Sequence, residues 1–389
     1  MAAEGHDIPD IPDIPDPDAE LLDPEAGGDI GGVVGPDQVN LTELLKEMVS
    51  LGASDLHLAV GTYPAVRLNG ALHRLEHHAE LRPQPLQQAL YDICTETQQH
   101  ELDEELELDM SYSVAGLARF RVNIHWQRGA IGAVMRAIPM GIAPLEKLGV
   151  PDKVRDFAYL PRGLVLVTGP TGSGKSTTLA SIVDLINKER PVNIITVEDP
   201  IEFLHNHQRA NVSQREVGAD TKSFANALKR ALRQDPDVIL VGEMRDLETI
   251  SVALTAAETG HVVFGTLHTQ DAPQTMDRII DVFPPDQQEQ VRVQLAGSIE
   301  GVLSQQLLPR SDRAGRTVAC ELLTSNDAVR NLIREGKTAQ LRSTMQAGAD
   351  RGMCTKEMWL ARLVKAGRID IATAYEASSY PEEIEEYLR

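Results

Sequence analysis

The sequence is short of cysteine, of aromatic side chains and of positive charge, and each shortage narrows what the chain can be. Only three cysteines, Cys94, Cys320 and Cys354, stand among 389 residues. They are too few and too scattered for a disulfide framework or a CxxC-type zinc site, and they fit a reducing compartment. Aromatics make up 4%, so a core must be packed by Leu, Ile, Val and Ala. Lys and Arg number 37 against 58 Asp and Glu, a formal charge of −21. A fold that grips a nucleic-acid backbone needs a basic surplus, so no nucleic-acid partner is expected. No apolar run approaches the roughly 18 residues of a membrane span. The first residues show neither the basic n-region nor the apolar h-region of a signal peptide. A soluble, cytoplasmic protein without direct membrane insertion is expected. Its length is a prior for two to three domains, and 42% hydrophobic residues suffice for a sizeable core.

The acidity is concentrated at one end. Residues 1–38 hold eleven acids and no Lys or Arg; taking these from the 58 leaves 47 against 37 bases, an ordinary net of −10. Ile-Pro-Asp recurs three times over 8–16, and a Gly-rich acidic stretch follows. Such a segment cannot bury enough apolar surface to offset its ordering entropy, so 1–38 reads as a disordered acidic tail. From Val39 the pattern changes. Leu41, Leu44, Leu45 and Met48 fall at helical spacing and end at Gly52. Alternating runs at 55–60, 65–68, 120–125 and 130–137, with a helix at 84–91, suggest a small α+β domain over 39–140. Pro139, Gly141 and Pro144 mark a hinge, and 141–160 reads as a linker. From 161 to 389 the rhythm is α/β. Apolar strand-like runs at 163–168, 193–197, 238–241 and 261–266 alternate with helical stripes, which argues a parallel sheet covered on both faces. The segment 290–389 reads as mostly helical.

The strongest chemical signal is Gly169-Pro170-Thr171-Gly172-Ser173-Gly174-Lys175-Ser176, followed by Thr177. It matches the phosphate-binding (Walker A) loop, with a predicted strand before it and a predicted helix after it. The glycines let successive amides point at phosphate, Lys175 reaches the β- and γ-phosphates, and the Ser176 hydroxyl can ligate Mg²⁺. Such a site also needs a carboxylate for the magnesium shell and a base for the attacking water. The buried run 237–243 ends in Glu243. Glu198, Asp199 and Glu202 follow the strand 193–197, at the carboxyl end of a core strand, where α/β ligand sites sit. A surface acidic turn is the plainer reading of these three acids, weakened by the strand before them. His261 and His268 flank the fourth strand, and spacing alone favours structural hydrogen bonding for both.

These motifs carry a resemblance. The stretch 232–249, with its Asp235-Pro236-Asp237 and Gly242-Glu243-Met244-Arg245-Asp246 runs, is similar to the signature of the type II/IV secretion superfamily of hexameric ATPases. Residues 258–269 resemble its histidine box and 195–203 its aspartate box. The likeness extends to Ser54-Asp55-Leu56-His57 and to Arg119-Phe120-Arg121-Val122-Asn123, and so covers about 39–389. Within the superfamily the chain resembles the type IV pilus retraction motors. Residues 328–335 resemble their C-terminal helix motif, with Val329 where Ile is usual, and the three cysteines cannot supply the paired CxxC zinc ligands of extension and secretion ATPases. The acidic tail, and Ile299-Glu300 where a basic residue is usual, depart from the pattern.

The resemblance implies a RecA-like P-loop NTPase core, a PAS-like N-terminal α+β domain and a helical C-terminal region. It implies a homo-hexamer that hydrolyses ATP with Mg²⁺ and drives pilin disassembly and twitching motility from the inner face of the cytoplasmic membrane. Its implied partners are an inner-membrane pilus platform protein and a paralogous motor. Ser176 and Glu243 then hold Mg²⁺, and His261 and His268 become γ-phosphate or seam sensors. Arg119 and Arg121, with Arg136, become charge-stabilising fingers toward a neighbour's phosphates. Glu202 is the expected base, with Glu198 and Glu243 left open for that role. A pilus extension or type II secretion ATPase is the alternative. A DNA-translocating ring is disfavoured by the charge balance.

Overall fold

The structure, a computed structural model, describes residues 38–68, 70–138 and 141–389. All but the last residue of the expected acidic tail, and Pro139 of the expected hinge, lie outside them. The chain divides into two compact units with the boundary between Ala137 and Ile138.

In the first unit, helix α1 (Leu41–Ser50) starts where the Asn40 side chain accepts from the Glu43 amide. That bond satisfies one of the amides a helix start leaves unpaired. The helix buries Leu41, Leu44, Leu45 and Met48. The strands are β1 (Asp55–Ala59), β2 (Ala65–Leu68), β3 (Ala71–Arg74), β4 (Glu107–Val114), β5 (Ala118–Gln127) and β6 (Ala130–Ile138). They form one sheet in the order β3-β2-β1-β6-β5-β4. Strand β5 alternates strictly: Phe120, Val122 and Ile124 are buried, while Arg119 and Arg121 stand on the opposite face. Helices α2 (Pro83–Asp92) and α3 (Glu96–Glu105) bury Leu86, Leu90 and Leu102 in the same core.

The second unit begins with two 3₁₀ turns, Leu145–Lys147 and Asp152–Tyr159. Leu145, Val150, Val154 and Phe157, from the segment expected as a linker, are buried among Val165, Val167 and Leu179. The sheet follows as β7 (Gly163–Thr168), β8 (Asn193–Glu198), β9 (Asn211–Glu216), β10 (Val238–Val241), β11 (Val262–Leu267), β12 (Ile299–Pro309) and β13 (Arg316–Thr324). The order is β13-β12-β7-β11-β10-β8-β9, and every pairing is parallel except β12 with β13. Every residue of β7, β10 and β11 is buried. That explains why these strands read as unbroken apolar runs, since helices cover both faces of a parallel sheet. The connecting helices are α4 (Lys175–Glu189), α5 (Phe224–Ala231), α6 (Leu247–Glu258), α7 (Ala272–Asp281) and α8 (Gln288–Ser298).

The expectation of mostly helix over 290–389 needs a correction. The chain is helical from Asp327 onward, in α9 (Asp327–Arg334), α10 (Leu341–Ala347), α11 (Lys356–Lys365), α12 (Ile371–Ala377) and α13 (Pro381–Leu388). Residues 299–324 form the β12–β13 hairpin instead. Both strands are buried on both faces over much of their length, so neither shows the alternation that marks a half-exposed strand.

Strand β13 also carries an ionisable group in the core. Glu321 is 2% exposed and accepts from the Ala272 amide at 2.8 Å. Burial, reinforced by nearby Asp271 and Glu357, raises its pKa to about 7 against the help of that amide and of Lys356. A carboxyl whose folded-state pKa is raised costs nothing while it is protonated in both states. The cost grows as pH rises from the unfolded value through the folded one. Glu321→Gln keeps the acceptor oxygen without the charge. The variant should therefore melt above the wild type at pH 8, by an amount on the order of 2 kcal/mol, and the gap should close at pH 4.5. Thermal unfolding at the two pH values checks this.

Candidate nucleotide-binding and catalytic site

The register of the parallel strands decides what meets. Thr168 pairs with Leu267, Val241 with Gly265, and Val241 with Val197. The chain therefore leaves β7, β11, β10 and β8 along one edge of the sheet. From that edge come the 169–174 loop, His268, Glu243 and Glu198 with Glu202, in that order.

The loop curls because its backbone enters the left-handed region at Gly169, Gly172 and Gly174, with φ of 135°, 77° and 92°. Helix α4 begins at Lys175, so its first amides point back into the loop, where a helix start favours an anion. The Lys175 ammonium donates to the Gly169 and Pro170 carbonyls at 2.8 and 3.1 Å, which folds the side chain across the loop mouth. Burial lowers its pKa, and the carboxylates of Glu243 and Glu202 offset that only in part. Ser173 Oγ is buried inside the loop with no hydrogen-bond partner among the described residues. Below the loop, Thr168 and Ser304 share a hydroxyl hydrogen bond at 2.8 Å, and Gln305 donates to Thr178 at 3.0 Å. The loop is thus braced by strand β12, whose two buried faces leave no alternation in the sequence to mark it.

Glu243 is held by two basic partners. His268 Nε2 stands 2.8 Å from its Oε1, and Arg245 Nε donates to the same oxygen. Burial pushes the carboxyl up, but Arg245 and His268 together outweigh it, so the net shift is downward and Glu243 stays ionised. Glu198 is different. It accepts from Thr196 Oγ1 at 2.7 Å and Gln214 Nε2 at 3.1 Å, yet burial dominates and raises its pKa. Glu202 is exposed, and its charge acts on both Lys175 and Glu198.

The structure separates other expected residues from this edge. His261 precedes β11 and its carbonyl accepts from the Gly163 amide, so it stands at the opposite end of the sheet from the loop. Its Nδ1 donates to the Ala256 carbonyl at 3.0 Å, an anchor for the α6–β11 turn. The expectation of a γ-phosphate sensor therefore does not hold for His261 toward its own chain's loop, because the six-residue strand β11 separates them. Asp237 also lies at that far end, where it accepts from the Asn193 amide at 2.8 Å. Arg119 and Arg121 belong to the first unit, and Arg136 there is tied to buried Asp55 at 2.7 Å. Arg245 had no assigned role. Its place two residues after Glu243, just beyond a buried strand, was the available signal. Asp246, next to it, caps α6 by accepting from the Thr249 amide at 2.8 Å.

Comparison with known proteins places the chain in a family. Residues 36–366 match the family model described as type II/IV secretion system protein. The chain belongs to that family. Its sequence is 48% identical over 344 residues to the type IV pilus retractation ATPase PilT of Pseudomonas aeruginosa, covering 88% of this chain and 99% of that protein. It is 48% identical over 306 residues to a twitching motility protein of Neisseria gonorrhoeae, covering 79% and 82%. A crystal structure of the pilus retraction motor PilT with bound ADP superposes with a TM-score of 0.85 at 49% identity, covering 90% of this chain and all of that one. The α/β fold is that of this family, and within it the chain groups with the pilus-retraction ATPases. Among the described residues, no helix is long and apolar enough to cross a membrane.

Two loop glycines can be told apart by experiment. A Cβ on Gly169 would lie 2.2 Å from the Gln305 carbonyl oxygen, whereas one on Gly172 meets nothing within 4 Å. Gly172→Ala should cost only the left-handed backbone penalty of about 1–2 kcal/mol. Gly169→Ala must also displace β12 from the loop. It should lower the melting temperature further and abolish binding of a fluorescent ATP analogue that Gly172→Ala still retains.

Proposed function

We propose that the chain is a Mg-ATP-hydrolysing motor that works as a homo-hexamer and drives type IV pilus retraction. The observation that carries this reading is the arrival of Lys175, Glu202, Glu243 and His268 at one edge of a parallel sheet, around a phosphate loop. In this reading the loop amides and Lys175 hold the β- and γ-phosphates, with Thr171, Ser176 and Thr177 at the helix start. Ser176 and Glu243 fit a hydrated Mg²⁺. Glu243 is kept ionised, Ser176 stands beside the loop lysine, and the orphaned Ser173 hydroxyl marks a loop interior built for a polar guest. Bound there, the ion supplies charge neutralisation for the leaving phosphate oxygens.

Glu202 takes the proton of the attacking water as its oxygen bonds to the γ-phosphorus and the bond to the β–γ bridging oxygen breaks. Glu202 suits this task because it is exposed at the site's edge and its charge reaches Lys175. Glu198, locked by Thr196 and Gln214, is better placed to hold the turn. His268 and Arg245 fix the Glu243 carboxylate and read the γ-phosphate through it. Arg119 and Arg121 act on the phosphates held by a neighbouring subunit, supplying positive charge as the transferring phosphoryl group develops its own. The work is passed to an inner-membrane platform protein and, in company with a paralogous motor, withdraws pilin subunits at the inner face of the cytoplasmic membrane.

Purified full-length protein tests the chemistry. Lys175→Ala should lose nucleotide binding and turnover together. Glu202→Gln should keep nucleotide binding and lose 10²–10⁴-fold in turnover, the usual worth of a positioned base. A Glu202→Gln variant with normal turnover, beside an inactive Glu198→Gln, would move the base to Glu198. Light scattering that found monomers in the presence of nucleotide would remove the ring from the account.

A further inference from the structure

The first unit holds a cluster that the nucleotide chemistry does not use. Glu47 lies on the fourth-from-last position of α1, and His77 and His78 lie in the turn that follows β3. His77 Nε2 stands 2.9 Å from Glu47 Oε1, and His78 Nε2 stands 2.6 Å from Glu47 Oε2. The two rings are tilted with centroids 4.4 Å apart. One donor atom from each of the three residues lies within 4.8 Å of the others. We propose that Glu47, His77 and His78 form a binding site for a divalent transition-metal cation of the zinc type, which clips helix α1 to the turn after β3.

The donor chemistry selects the ion. Two imidazole nitrogens and one carboxylate oxygen suit Zn²⁺ and its neighbours, whereas Mg²⁺ and Ca²⁺ prefer sites made of oxygen. Zinc–ligand bonds of about 2.0–2.1 Å at a tetrahedral centre hold donors roughly 3.3 Å apart. The three donor atoms already lie within 4.8 Å of one another, so reaching that spacing asks for side-chain movements on the order of an ångström. The same ring atom, Nε2, faces inward in both histidines. One divalent ion in place of the two protons therefore keeps all three donors in use and leaves a fourth position for water.

The surroundings favour a cation and hold the donors still. His78 lines a cavity of about 420 Å³ that Glu43 and Glu80 also line, and Glu43 lies one helical turn before Glu47 on the same face. Glu47 and His78 are each 23% exposed, while His77, at 63%, leaves the site open to ions from solvent. Helix α1 is anchored beside Glu47 by Leu44 and Met48 in the core, so one donor is fixed before an ion arrives. Spacing alone carries no warning of this cluster, because Glu47 and the histidine pair are about thirty residues apart and match no zinc-ligand spacing.

Zn²⁺ titrated calorimetrically into the full-length chain, with millimolar Mg²⁺ present throughout to occupy the nucleotide site, tests the proposal. The wild type should bind one equivalent of Zn²⁺ with micromolar or tighter affinity. The double variant His77→Gln/His78→Gln should lose this binding by more than the roughly 10–100-fold that removal of a mere outer-shell partner costs. The single variant His77→Gln, altered at an exposed side chain, serves if the double variant misfolds, and should show the same direction. Co²⁺ in place of Zn²⁺ should give the intense visible absorption of a four-coordinate site in the wild type alone. Zn²⁺ binding of unchanged stoichiometry and affinity in the variants, or no binding by the wild type, overturns the proposal.

Discussion

Everything chemical in the second unit depends on the register of four parallel strands. Parallel pairing places the carboxyl ends of β7, β11, β10 and β8 along one edge. Because the strands are buried on both faces, the register cannot slip without moving polar loops into the core. The consequence is local and electrostatic. One ammonium, Lys175, faces two carboxylates from separate strands, and one of these, Glu243, is itself held by Arg245 and His268. Phosphoryl transfer asks for positioning and charge placement more than for covalent chemistry, and this edge provides both without a reactive nucleophile.

The same constraint explains what was legible in the sequence. The loop 169–177 could be found from spacing alone, because glycines, lysine and serine must fall at fixed intervals when backbone amides wrap a phosphate. Glu243 could be found because an apolar run that ends in an acid marks the exit of a buried strand. His261 and His268 could not be separated, since both flank one strand and a linear string does not say which end faces the loop. Six residues of β11 put them at opposite edges. Strands β12 and β13 were hidden for a different reason. A strand buried on both faces has lost the period of two that distinguishes it, and Glu321 within it reads as a surface residue until burial is known.

The two units place their polar residues by different rules. The second unit gathers charge at strand ends, where loops can present it to a ligand. The sheet of the first unit puts Arg119 and Arg121 on the face opposite its core and spends Arg136 on buried Asp55. Two of its histidines, His77 and His78, meet instead in a turn, on Glu47 of helix α1. Nothing in the second unit's edge requires that cluster, which is why it stands as a separate site.

If ATP hydrolysis at the Lys175–Glu243 edge powers withdrawal of pili, its loss must show on the cell surface. The most direct measurement is a count of surface pili, with surface motility, in the producing cell when its own copy is replaced by Lys175→Ala. Normal amounts of the variant with more pili and lost motility are the predicted result. Cells without pili would assign the hydrolysis to extension and contradict the account, as would unchanged pili and motility.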